Sequence, residues 1–178
     1  MNITLSQEAF VCMNEDSVSS NTLDTLFPLL YELNPLVIVE AGTYRGTFAI
    51  IAARSFPNAR ILTADIVNHN WGHFAERSGL APGAITFVQA DFEEIAVRHP
   101  DIVGAVDVAL VDSGWPTIAD EPEMRLRHFR AAQRWVKPGG HVFVDDMRGD
   151  WVGRETIAAE CCLILPTDRG LGVWRKHG

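Results

Sequence analysis

Only three cysteines, Cys12, Cys161 and Cys162, occur in the 178 residues. That is too few for a disulfide-stapled scaffold, and the adjacent pair lacks metal-ligand spacing, so a reducing, cytoplasmic setting is expected. Positive charge is scarce as well: 15 Lys and Arg against 23 Asp and Glu leave a net charge of −8. Such an excess repels phosphate backbones and anionic bilayers, which disfavours nucleic acid and membrane as partners. No apolar run approaches the roughly 20 residues of a bilayer span, and the first ten residues carry no Lys or Arg and lead into no signal-like run. Repeats, low-complexity tracts and Pro/Gly/Ser-rich linkers are missing too. One domain over residues 1–178 is expected, long enough to bury about 70% of its unfolded surface without a staple.

What the sequence does contain is an alternation of element types. Short apolar runs recur at Leu36–Val39, Ile61–Leu62, Ile85–Val88, Val108–Val111, Val142–Val144 and Cys162–Leu165. Near-continuous apolarity without polar alternation marks strands covered on both faces, as in a parallel sheet. Helical spacing lies between them, with Phe48, Ile51 and Ala52 on one face after Gly46, and Leu126, Phe129, Ala132 and Val136 on another. Pro138-Gly139-Gly140 is expected to stop the second of these helices. Strand and helix in alternation predict a doubly wound α/β sheet. A further helix is expected from about Trp151 to Glu160, and two apolar runs flanking Asp168-Arg169-Gly170 predict a C-terminal antiparallel pair. Near the start, Leu23, Leu26, Phe27 and Leu30 form a helical stripe that Pro28 should kink or shorten. Residues 1–35 are expected to act as a cap or lid, and residues 36–178 as the binding fold.

The sharpest local pattern is Val37-Ile38-Val39-Glu40-Ala41-Gly42-Thr43-Tyr44-Arg45-Gly46, a strand ending in an acid and running into a glycine turn that opens a helix. Such a turn lets a ligand approach bare backbone at the carboxyl edge of a strand. A dinucleotide fingerprint needs glycine two residues after Gly42, where Tyr44 stands. Asp65 ends the second run, Asp91 follows the third, and Asp112 ends the fourth. After the fifth comes Asp145-Asp146. Neighbouring strand residues point to opposite faces, so these two acids reach one site only if the chain leaves the strand between them. If it does, Asp112, Asp145 and Asp146 form an oxygen set suited to Mg²⁺ or Ca²⁺. Asp65 and Asp91 also have a plainer reading as helix caps, and Asp145 or Asp146 as a cap or a partner of Arg148.

The spacing Glu-x-Gly-x-x-x-Gly, followed in order by the Asp65, Asp91 and Asp112 strand ends and by Trp135-Val136-Lys137-Pro138-Gly139-Gly140, resembles class I methyltransferases that use S-adenosylmethionine. The resemblance implies a Rossmann-like, seven-stranded, mostly parallel sheet whose last two strands are antiparallel. It also implies that Glu40, Gly42, Gly46, Asp65 and Asp91 hold the cofactor, Asp65 through the ribose hydroxyls and Asp91 at the adenine edge. Asp112 and Asp145-Asp146 resemble the metal-binding acids of catechol-type and macrocin-type O-methyltransferases. Two departures stand out. Catechol-type enzymes carry a lysine just after the strand-four acid, but this chain reads Ser113-Gly114-Trp115-Pro116 and has only Lys137 and Lys176. Macrocin-type enzymes often place a second acid where Gly114 stands.

The acceptor base is therefore not identified by motif, and Asp112, His69 and His73 are the candidate catalytic residues. Each histidine also fits an ordinary surface position, as His141 fits a structural one. Trp71 and Trp115 are candidates for walls around a flat acceptor or for simple packing. The expected activity is methyl transfer from S-adenosylmethionine to a hydroxyl of a small molecule, assisted by a divalent ion; the alternative is a non-catalytic cofactor-binding or assembly protein of the same fold. About 35 residues and the loops are left to recognise an acceptor, which favours a small one or a site completed by a second subunit in a homo-oligomer.

Overall fold

The computed structural model describes residues 18–113 and 123–178. Its first element is helix α1 (Ser20–Leu33), started by the Ser19 hydroxyl, which accepts the Thr22 N–H at 3.0 Å. The helix runs through Pro28 without ending there. Pro28 is exposed, so the backbone carbonyl it leaves without a donor can face water, while the stripe of Leu23, Leu26, Phe27 and Leu30 stays buried. There follow β1 (Val37–Ala41), α2 (Thr47–Ser55), β2 (Arg60–Asp65), α3 (Trp71–Arg77), β3 (Ile85–Gln89) and α4 (Glu94–Arg98). Beyond a short 3₁₀ turn come β4 (Val106–Val111), α5 (Met124–Trp135), β5 (Val136–Val144), α6 (Arg154–Glu160), β6 (Leu163–Leu165) and β7 (Leu171–Arg175).

All seven strands form one sheet in the order β3-β2-β1-β4-β5-β7-β6. The first five are parallel, while β7 runs antiparallel to both β5 and β6. This is the expected α/β architecture with its terminal antiparallel pair. The continuous apolar runs have the expected cause: Val39, Ala109, Val111, Val142 and Val144 pack with Ile95, Phe129 and Ile157 on one face. Their neighbours Ile38, Val108, Leu110 and Phe143 pack with Leu26, Phe27 and Phe48 on the other.

The helix before β5 differs from expectation in two ways. It ends at Trp135, and Val136 already belongs to the sheet, paired with Val106. Pro138-Gly139-Gly140 therefore does not stop the helix but makes an irregularity inside β5, where the register against β4 shifts between Val106 and Val108. Gly140 is required there, since a Cβ would fall 2.6 Å from a Val136 methyl and 2.8 Å from the Asp107 carbonyl oxygen. Asp107 accounts for the polar residue at the start of β4: its carboxylate accepts the N–H groups of Leu36 and Val37 and pairs with Lys137, tying three chain segments together.

Sheet order reverses between β1 and β4, because the chain leaves β3 at one edge and resumes on the far side of β1. Open α/β sheets bind ligands at the carboxyl ends of the strands flanking such a switch. Here those ends are Gly42 and Asp112, and they touch.

Candidate functional site

Gly42 carries φ +91°, and its N–H reaches the Ala64 carbonyl at 2.9 Å. A side chain at this position would strike the Asp112 carbonyl, with the carbonyl carbon at 2.8 Å and Ser113 Cα at 3.1 Å. The β1 turn is thus pressed directly onto the end of β4, an approach open only to glycine. Two residues on, Tyr44 has φ +47°, and its N–H donates to Asp65 Oδ2 at 2.8 Å, while Val67 N–H donates to Oδ1 at 3.0 Å. Among the described residues each Asp65 oxygen has one donor, which leaves one lone-pair direction for a further one. Gly46 (φ +84°) caps α2 beneath the Trp71 ring, which a Cβ would strike and which stacks on Phe87 at 5.4 Å. Trp71 is thus engaged in packing, and Trp115 lies outside the described residues.

Glu40 is buried beneath this turn. Its Oε2 accepts from the Thr63 hydroxyl at 2.6 Å, and Thr63 in turn touches the Thr43 hydroxyl within the turn itself. Burial raises the Glu40 carboxyl well above its ordinary range, only partly offset by Thr63. Glu40 thus braces the loop through two threonines.

Asp91 is bound differently from what the resemblance implies. Its oxygens accept from Glu93 N–H at 3.0 Å and from both terminal nitrogens of Arg127 at 2.9 and 2.8 Å, and His128 Nε2 lies at 3.3 Å. Four donors take the four acceptor directions of a carboxylate, so no direction is left for an adenine amine without displacing one of them. The Arg127 contact, above all, holds this carboxyl far below its usual range. With Asp91 ionised and able only to accept, His128 Nε2 must carry the hydrogen. Burial lowers the His128 pKa and favours the neutral ring, so Nδ1 accepts from the Ser113 hydroxyl at 2.6 Å. Ser113, beside Gly42, is thereby joined through His128 to Asp91.

At the other side of the switch, strand alternation separates the paired acids. Asp145 follows Phe143 onto the α1 face, is fully buried, and accepts from the Thr22 hydroxyl at 3.1 Å. Its Oδ2 has no partner among the described residues. Asp146 turns away with φ +61°, so the chain does leave the strand, and its carboxylate faces Arg125 at 3.4 Å and Arg169 at 3.8 Å. Burial and then Asp146 push the Asp145 carboxyl up to about 6, and burial and then Asp145 raise Asp112. Asp112, Asp145 and Asp146 are thus electrostatic neighbours. The metal set expected from the sequence nevertheless is not assembled: among the described residues no group of three or more His, Cys, Asp or Glu side chains could hold a metal ion.

His69 and His73, the other catalytic candidates, lie beyond β2. The His69 ring packs on Tyr44 at 4.6 Å, beside the turn, and His73 is exposed on α3 against Phe74. Neither is hydrogen-bonded to a carboxylate among the described residues. Arg125, Arg127 and His128 were not singled out in the sequence. Their trace is there, since Arg125, His128, Ala132 and Trp135 recur at steps of three, four and three and are all buried. Polar residues in phase with an apolar stripe signal a buried polar network.

A parallel sheet with its switch at β1/β4, a glycine turn pressed on the β4 acid and a carboxylate at the end of β2 together define a Rossmann-like methyltransferase fold. The methyltransferase domain family matches residues 39–147, more than half of the chain, and the protein belongs to that family. No curated protein matches the sequence. Among solved structures, the O-methyltransferase TomG from Streptomyces achromogenes, involved in tomaymycin synthesis and in complex with S-adenosylmethionine, is similar at TM-score 0.69 and 18% identity, covering 100% of this chain and 91% of its own. An O-methyltransferase from Bacillus cereus in complex with S-adenosylhomocysteine is similar at TM-score 0.67 and 17% identity, covering 95% and 85%. No helix among the described residues is long and apolar enough to cross a membrane.

Proposed function

We propose that the protein transfers a methyl group from S-adenosylmethionine to a hydroxyl oxygen of a small molecule. The observation that carries this reading is Asp65, which stands at the end of β2 beside the Gly42 turn with one acceptor direction open on each oxygen. A carboxylate so placed suits the cis-diol of a ribose. Gly42, Gly46 and the Tyr44 backbone would line the cofactor's path, Glu40 would brace that loop, and Asp91 would organise the neighbouring wall through Arg127 and His128. When bound, S-adenosylmethionine supplies a methyl made electrophilic by its sulfonium. What remains for the chain is to align an acceptor oxygen and take its proton.

Asp112 is the proposed proton acceptor, because it stands at the switch against Gly42 and burial, then Asp145, raise its carboxyl above the ordinary carboxylate range. His69, against Tyr44 at the mouth of the turn, and His73 on α3 are the alternatives. The divalent ion that the resemblance implies does not fit this donor set, since the Arg125 guanidinium already faces both Asp112 and Asp146. No step is assigned to it.

Calorimetric titration with S-adenosylhomocysteine tests the reading. Wild-type protein should bind one equivalent, and Asp65→Ala should weaken binding at least tenfold, as expected for charge-assisted bonds of about 1.5–3 kcal/mol. Folded protein that binds none would end the reading. Binding with no methyl transfer to phenols, catechols or sugar hydroxyls would favour the non-catalytic assembly role.

A further inference from the structure

The guanidinium of Arg125 faces both Asp112 and Asp146. Arg125 is only 6% exposed, and its position is set by main chain on both sides of the switch. Nε donates to the Ser113 carbonyl after β4 at 2.6 Å, and a terminal nitrogen donates to the Asp145 carbonyl after β5 at 2.9 Å. The other terminal nitrogen faces Asp146 Oδ2 at 3.4 Å and Asp112 Oδ1 at 3.9 Å. Trp151 lies against the guanidinium at 5.0 Å. Arg125 is thus held by backbone contacts that a change of side-chain rotamer elsewhere would not release. The opposite oxygen of Asp146, Oδ1, faces Arg169 at 3.8 Å.

We propose that Arg125 is the resident cation of this site, occupying the place between Asp112 and Asp146 that a divalent ion would need, and that the protein works without such an ion. A divalent cation bridging Asp112 and Asp146 would have to lie against a fixed positive charge. The guanidinium balances the same acids and also ties the ends of β4 and β5 together, which an exchangeable ion does only while bound. Arg125 is in this sense a positioning residue: its charge faces Asp112 and it transfers no proton itself. The inference shares its site with the proposed methyl transfer but is read by ion binding, so the two can fail separately.

The test is Mn²⁺ titration followed by the paramagnetic resonance signal of the free ion. Wild type should show no stoichiometric site, and Arg125→Gln, which removes the charge, should bind one Mn²⁺ at least tenfold more tightly than wild type does. Adding Asp112→Asn to that variant should remove the gain, which separates this site from diffuse attraction to an acidic surface. Stoichiometric Mn²⁺ binding by wild type that Asp112→Asn abolishes would overturn the proposal. So would a folded Arg125→Gln protein, judged by circular dichroism, with no gain. Should that variant not fold, Arg125→Lys with Asp146→Asn loosens the fork but keeps a cation, and stoichiometric Mn²⁺ uptake by it or by wild type counts equally against the proposal.

Discussion

Gly42→Ala should abolish S-adenosylhomocysteine binding and destabilise the fold by roughly 2–5 kcal/mol, combining backbone strain with a steric clash. At φ +91° an alanine is strained whatever surrounds it, and its methyl would be driven into the Asp112 carbonyl. Because the obstacle is backbone, no rotamer change relieves it, and either the turn or the end of β4 must move. Both outcomes disturb the binding surface, since the turn also carries the Tyr44 N–H that meets Asp65. Gly79 provides the control. It too has a positive φ, +68°, but nothing lies within 4 Å of its missing side chain, so Gly79→Ala should cost only about 1 kcal/mol. Urea unfolding of the two variants decides the matter: equal losses would show that the contact with β4 contributes nothing.

The second large effect is a gain. Asp145→Asn should stabilise the protein above pH 6, by up to about 3 kcal/mol, with the advantage shrinking as the pH falls towards 4. The Asp145 carboxyl is raised from 3.8 to about 6, first by burial and then by Asp146. Between those values the folded chain holds a proton that the unfolded chain has released, so wild-type stability falls as pH rises through this window. Above it the full cost of a buried charge is present, and asparagine never incurs that cost. His128 works in the opposite sense: its pKa is lowered, chiefly by burial, so the fold loses stability as pH drops below the unfolded value near 6.5. Below pH 6 the two groups therefore pull in opposite directions, and the variant should keep on the alkaline side the stability that wild type loses there. Melting temperatures at pH 5 and 8 give the comparison; an Asp145→Asn gain equal at both pH values would remove the buried charge as its cause.

What was legible in the sequence is what the backbone itself demands. Gly42 and Gly46 lie where positive φ and close approach require glycine, and the strands are apolar throughout because both faces are covered. The side-chain network was harder to read, because partners far apart in sequence decide it. Leu126 falls on the apolar stripe of its helix, whereas Arg125 and His128 are more deeply buried, satisfied by carbonyls and carboxylates from three other segments. Asp145-Asp146 looks like a ligand pair until the alternation of β5 sends one acid to Thr22 and the other to Arg125. Pro138-Gly139-Gly140 reads as a helix stop because a β-irregularity uses the same residues.

The place of β7 has a consequence for synthesis. This strand sits between β5 and β6, although it follows both in the chain. Until Leu171–Arg175 have left the ribosome, β5 presents an open edge carrying Val142, Phe143 and Val144, and β6 has nothing to pair with. Helix α1, made early, must also wait, because Thr22 and Ser19 find Asp145 and Asp168 only 123 and 149 residues downstream. At translation rates of about 5–20 residues per second, the roughly 30 residues from the end of β5 to the end of β7 leave that apolar edge uncovered for roughly 2–6 seconds. Chaperone dependence should therefore be concentrated while residues 145–175 are being made, when β5 exists and β7 does not.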